Sequence, residues 1–276
     1  MTNNENRGEF SLLREMPDVL RARGFRLYLA NGKRLVDLWL NGGAAILGHT
    51  PPNLLRELKN AASRGIYAPF PHFTEGRYIK ALSKLLPGFT FRLYAAPPPE
   101  LTALFNSGAA KLWRPFSDIS SPFAVEKDAS LLIPVLPGIQ TWRGGLPLGL
   151  CVIAANSAQS SNSETLVQMP PSDALSPILL AMAVRGVYDL LAATERTKPD
   201  LPRTFNALKK SGSMWQSNGI YLTLKEKPLN EKWETLFHKF FEAGFLLPPT
   251  PSQPLILPGE LSAGEDTQLA AVLEKS

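Results

Sequence analysis

The sequence is short of the residue types on which most enzyme chemistry relies. A single cysteine, Cys151, excludes an internal disulfide framework and fits a reducing compartment. It lies in the apolar run 148–155, which makes it a core thiol rather than a nucleophile. The three histidines, His49, His72 and His238, are far apart, and with one cysteine they form no metal-ligand spacing, so no metal is expected. No lysine occurs between Lys127 and Lys198. The 29 Lys+Arg and 24 Asp+Glu are scattered, so the formal charge of +5 forms no basic stripe with interleaved aromatics, and no nucleic-acid partner is expected. The most apolar stretch, 178–193, is interrupted by Arg185 and Asp189 and reads as a core helix, so no membrane span is expected. Residues 1–10 lack a basic start and an apolar core, so no signal peptide is expected and the cytoplasm is the expected location.

What is present suits a globular α/β protein. A hydrophobic content of 44% over 276 residues is enough for one large domain or two small ones. The spacing predicts a short helix over 11–20 and two strands, 26–30 and 34–40, around the turn signal Asn31-Gly32. Thr50 is placed to cap a helix starting at Pro51, with Leu54, Leu55, Leu58, Ala61 and Ala62 on its apolar face and Gly65 as its stop. A helix over 74–86 and a strand over 89–94 follow, then the proline cluster 97–99. The apolar runs 131–136 and 148–155 have the composition of buried parallel strands, and 156–164 is a polar loop. Further on, 219–225 alternates as a strand. Trp233, Leu236, Phe237, Phe240 and Phe241 share a helix face that Gly244 ends. A short strand over 255–257 follows, and Ser262 with Glu265 forms a capping box before a last helix.

Residues 137–149 read PGIQTWRGGLPLG. The run from Gly144 to Gly149 resembles the glycine-rich turn that follows the Schiff-base lysine of class III, fold-type-I, pyridoxal-phosphate-dependent aminotransferases. The nearest pattern is that of glutamate-1-semialdehyde aminomutase. Residues 24–49 carry a matching order of features in Gly24, Tyr28, Asn31-Gly32, Asp37 and Leu47-Gly48-His49, and residues 244–266 carry Pro251-Ser252-Gln253 and Glu265-Asp266. The middle is shorter than in the family, with the deficit between Ser107 and Gly144.

The resemblance implies a reduced large domain over 67–210, mostly parallel sheet with helices. It also implies a small α+β domain made from both termini, 1–66 and 211–276. It places Gln140 at the lysine position, where an amide forms no imine with an aldehyde, so no catalytic residue is assigned. The family's phosphate turn reads Asn-Ser-Gly-Thr-Glu-Ala; here Asn106-Ser107-Gly108 is followed by Ala109, Ala110 and Lys111. Ile133 takes the place of the aspartate that pairs with the cofactor ring. Ser107, Gly108 and Ser172 are the remaining candidates for a phosphate, with Ser107 at a helix N-terminus or acting as a cap.

Two functions follow from these readings. One is a non-catalytic aminotransferase homologue without cofactor, a binding or interaction module that forms a homodimer or pairs with an intact aminotransferase. The other is an enzyme that still uses pyridoxal phosphate with a lysine from elsewhere, Lys111 or Lys198.

Overall fold

The computed structural model describes residues 11–126, 129–138, 140–158, 169–193, 199–210, 212–226 and 230–276. Helix α1 (Ser11–Arg14) is cut short of residue 20 because Pro17 disfavours helical backbone in the residue before it. The chain extends instead as β1 (Val19–Arg23), which pairs antiparallel with β2 (Arg26–Leu29), and β2 pairs antiparallel with β3 (Arg34–Asp37). The β2–β3 turn is a three-residue loop closed by Leu29 and Lys33. Gly32 takes the left-handed position (φ 82°), and the Lys33 N–H donates to Asn31 Oδ1 at 3.0 Å. Leu27, Leu29, Leu35 and Val36 turn inward.

The middle of the chain begins with α2 (Pro52–Ala62). Pro51 sits at its N-cap and no side chain caps it, so Thr50 does not act as predicted; proline at the first positions already removes orphan N–H groups. Then come α3 (Thr74–Leu85), β4 (Phe89–Tyr94), α4 (Pro99–Asn106), β5 (Ala110–Trp113), β6 (Leu131–Pro134), β7 (Thr141–Arg143), β8 (Leu146–Leu148), β9 (Cys151–Asn156) and α5 (Pro177–Ala192). Four strands form one sheet in the order β4-β9-β6-β5. β5 and β6 are parallel, but β9 is antiparallel to both β4 and β6. The expectation of parallel strands holds for 131–136, where β6 runs parallel to β5, and is corrected for 148–155, where β9 is antiparallel to both neighbours. The described residues between β6 and β9 contain the β7–β8 hairpin and no crossover helix, the usual link between parallel strands.

Tyr94, Leu101, Ile133, Cys151 and Ile153 meet in a core around this sheet. α2 and α3 pack on α5, whose Leu180, Val187 and Leu190 are buried, each contributing roughly 1.5–3 kcal/mol. Asn53 on α2 donates to Asp189 Oδ1 on α5 at 3.1 Å, and the same oxygen accepts from Arg185 one turn earlier. Gly186 lets α5 approach Pro137, since a Cβ there would lie 2.3 Å from the Pro137 carbonyl oxygen.

The last third contains α6 (Pro202–Lys209), β10 (Trp215–Asn218), β11 (Tyr221–Leu224), α7 (Asn230–Glu242), β12 (Phe245–Leu246), β13 (Leu255–Ile256) and α8 (Ala263–Lys275). β12 joins β3 in parallel, so residues near both ends of the chain share the sheet β1-β2-β3-β12. β11 pairs with β10 and β13. Trp233, Leu236, Phe237 and Phe240 form the buried face of α7, and Gly244 (φ 88°) lets the chain turn into β12. The predicted capping box is present: the Glu265 N–H donates to Ser262 Oγ, and the Ser262 N–H donates to Glu265 Oε2 at 2.8 Å. Glu265 also takes a bidentate pair from Arg26 on β2, at 2.9 and 2.6 Å.

Two compact units result, a terminal unit of Met1–Thr50 with Glu195–Ser276 and a central unit of Pro51–Thr194. Their boundaries differ from the expected 66/67 and 210/211 because α2 packs on α5 and α6 packs on α8.

Candidate functional site

Within the central unit, β6 runs through Val135–Leu136 toward Gln140, the residue at the resembling lysine position. Gln140 is 3% exposed, and its Nε2 donates to the Leu150 carbonyl at 2.8 Å. The amide thereby ties the residue before β7 to the residue two after β8. Between them the strands pair Thr141 with Leu148, Trp142 with Pro147 and Arg143 with Leu146. Gly144 (φ 58°) and Gly145 (φ 78°) form the two-residue loop. Two positive φ values in such a loop are the hairpin geometry that matches strand twist, and glycine adopts them without a Cβ clash. The glycine pair is thus accounted for by the turn itself. Trp142 is buried, with the Arg114 guanidinium 5.8 Å from its ring centroid.

Ile133 is fully buried in the centre of β6, among apolar neighbours where an unpaired carboxylate would be costly.

Asn106-Ser107-Gly108 ends a helix rather than beginning one. Ser107 is the C-cap of α4, its Oγ donating to the Leu104 carbonyl at 3.0 Å. Gly108 (φ 79°) follows in the left-handed position and donates to the Phe105 carbonyl at 3.0 Å. The expected helix N-terminus at Ser107 is therefore corrected: carbonyls and the negative end of the helix dipole face this turn, which disfavours an anion. The N-terminus of α4 falls instead behind Pro97, Pro98 and Pro99, three residues without N–H donors, with Glu100 in the first turn. That end is also a poor anion site.

Ser172 accepts the Leu93 N–H at 3.1 Å, while the Asp173 N–H donates to the Leu93 carbonyl at 2.8 Å and Asp173 Oδ2 accepts the Ala95 N–H at 2.8 Å. Ser172 and Asp173 thus continue the edge of β4. Among the described residues no hydrogen bond joins Ser107 or Gly108 to Ser172. Lys111 lies on β5, not on a helix, and its exposed ammonium pairs with Glu126 at 3.0 Å. Lys198 lies outside the described residues.

The histidines have partners that sequence spacing did not reveal. His238 Nε2 lies 3.3 Å from Glu15 on the surface, and His72 Nδ1 lies 2.6 Å from Thr74 Oγ1 at the start of α3. In the terminal unit His49 Nε2 is 2.8 Å from Oδ2 of Asp37, a carboxylate 1% exposed. Asp37 Oδ1 accepts the Trp39 and Leu40 N–H groups at 2.8 and 2.9 Å. The turn after Asp37 holds Leu40 and Asn41 at φ 48° and 49°, a left-handed pair outside glycine. Both residues of the pair were visible in the sequence as separate features; their twelve-residue separation carried no sign of contact.

No family model matches the sequence. An uncharacterized protein of Treponema pallidum (strain Nichols) is 26% identical over 294 residues, covering 90% of this chain and 91% of that one. An uncharacterized protein of Borreliella burgdorferi is 39% identical over 71 residues, 26% of each chain. Among solved structures, ornithine aminotransferase from Plasmodium yoelii superposes with a TM-score of 0.63 at 13% identity, covering 94% of this chain and 92% of that one. Acetylornithine aminotransferase from Elizabethkingia anophelis gives 0.60 at 12%, covering 94% and 93%. An omega-transaminase from Sphaerobacter thermophilus gives 0.62 at 12%, covering 94% and 90%. The likeness is one of fold. The chain is an α/β protein with the fold-type-I aminotransferase architecture, including the small α+β domain drawn from both termini. Among the described residues no helix is long and apolar enough to cross a membrane.

Proposed function

We propose that this chain is a degenerate aminotransferase-fold protein, nearest in its glycine turn to glutamate-1-semialdehyde aminomutase, that has left imine chemistry and works as a binding or interaction module. The carrying observation is Gln140: the residue that the resemblance puts at the lysine position is a buried amide that donates to the Leu150 carbonyl and so closes the base of a hairpin. The phosphate-turn candidates support the same reading. Ser107 and Gly108 terminate α4, Ser172 holds the edge of β4, and the N-terminus of α4 begins with prolines. These groups do not fit pyridoxal phosphate, which needs a lysine for its aldehyde and N–H donors for its phosphate. The module acts in the cytoplasm as a homodimer or beside an intact aminotransferase of the same cell.

The test is an absorption spectrum of the purified protein with pyridoxal phosphate added, followed by borohydride reduction and intact mass. The free-aldehyde band is expected to stay unshifted, with no stoichiometric adduct. A shifted band with one reduced adduct mapped to a single lysine overturns the proposal and names the nucleophile. Light scattering coupled to size exclusion, with and without an intact aminotransferase from the same cell, reads the partner. A chain that is monomeric alone and does not co-elute removes the interaction role.

A further inference from the structure

The terminal unit holds a cavity of about 520 Å³, within the usual size for a small-molecule site of roughly 300–1,000 Å³. Its lining combines apolar side chains, Met16, Leu27 and Leu246 among them, with Trp39, Asn41, His49 and the charged Arg14, Asp18 and Asp37. Apolar side chains together with converging polar groups are the usual composition of a ligand site.

His49 is fixed in this lining from two directions. Its N–H donates to the Gly24 carbonyl at 2.8 Å, and Gly48 (φ 91°) passes so close to Gly24 that a Cβ would lie 3.2 Å from that carbonyl oxygen. Its ring is held by Asp37 at 2.8 Å. An ionised carboxylate only accepts, so a hydrogen on Nε2 faces Asp37, and in the neutral tautomer this leaves the ring lone pair on Nδ1. Among the described residues Nδ1 has no hydrogen-bond partner, and the His49 side chain is 18% exposed. Among the described residues no serine, threonine or cysteine lines the cavity, so none of them offers the pair the nucleophile that acyl transfer requires. The geometry points to recognition instead.

We propose that this cavity binds a small apolar molecule carrying one N–H or O–H donor, which it gives to Nδ1 of His49, with Asp37 as the positioning residue that sets the tautomer. Nothing in this assignment depends on the fate of the cofactor chemistry in the central unit.

Indole and benzofuran serve as probes because they share a shape and differ in the N–H. Binding is followed by chemical-shift titration, with the His49 ring nitrogens observed directly. Indole is expected to bind about tenfold more tightly than benzofuran, the size of one hydrogen bond, and to shift Nδ1 more than Nε2. His49→Gln keeps an N–H donor toward Asp37 and replaces the ring acceptor Nδ1 with an amide oxygen at a different place on the side chain. It is expected to keep the fold by circular dichroism and to abolish the preference for indole. Equal binding of the two probes, no binding of either, or a preference that survives His49→Gln overturns the proposal. Binding that emerges only after removal of residues 1–10 also overturns it, by assigning the cavity to the chain's own N-terminal segment.

Discussion

Asp266 on α8 supplies the N-terminal cap of α6: its Oδ1 accepts the Thr204 N–H at 3.0 Å and the Thr204 hydroxyl at 2.7 Å. Oδ2 accepts the Arg203 N–H at 3.1 Å. A carboxylate from one helix thus satisfies the orphan donors of another, and does so at 4% exposure. Asp266→Ala leaves those buried donors unpaired and is expected to cost about 2–3 kcal/mol; Thr204→Ala, which keeps the N–H bond, is expected to cost about 1 kcal/mol. Urea unfolding of both variants checks the order.

The adjacent Glu265 makes stability depend on acid. The hydrogen bonds from Arg26 outweigh the opposing effect of burial and, with the Ser262 contacts, hold the Glu265 carboxyl down to about 2 from its ordinary 4.5. A depressed carboxylate stabilises the fold fully above the ordinary value. That contribution is expected to fade as pH falls from about 4.5 toward 2. Glu265→Gln loses about 1–2 kcal/mol near neutrality and has a flatter stability profile across that window, measured as urea midpoints at stepped pH.

Gly186→Ala places a methyl 2.3 Å from the Pro137 carbonyl oxygen, and both partners there are backbone. The expected cost is about 2–3 kcal/mol despite alanine's better helix propensity. Thermal unfolding checks it, with Ala183→Gly as a comparison that removes propensity on the same helix.

Cys151 has a thiol pushed up to about 12 by burial. A thiolate-directed disulfide reagent at pH 8 is expected to leave the native chain unmodified for hours and to titrate one thiol at once in denaturant. Fast reaction in the native state would show that β9 opens locally.

Local chemistry was readable in advance. The Ser262–Glu265 capping box depends on residues three apart, and both the aromatic face of α7 and its stop at Gly244 follow from helical period. Contacts across long separations were not. Asp266 and Thr204 are 62 residues apart, and the partners of Arg26 and Glu265 are 239 apart. The prolines 97–99 read as a break, yet proline at the first helical position is compatible with the helix that follows, and α4 begins there.

The same difficulty governed the central unit. Asn106-Ser107-Gly108 matched a turn known for preceding a helix, whereas the pattern of small residues equally suits a helix stop, and φ at Gly108 decides between them. The Gly144-Gly145 pair was read through its resemblance, although Gly-Gly between two short strands is itself a hairpin signal.

The parallel pairing of β12 with β3 has a consequence for biosynthesis. The strand that completes the first sheet is made some two hundred residues after the one it pairs with, and the central unit, 51–194, leaves the ribosome in between. The first fifty residues therefore emerge with an open sheet edge and wait through the synthesis of the entire central unit. Until Phe245 and Leu246 arrive, that edge is a template on which another strand can pair.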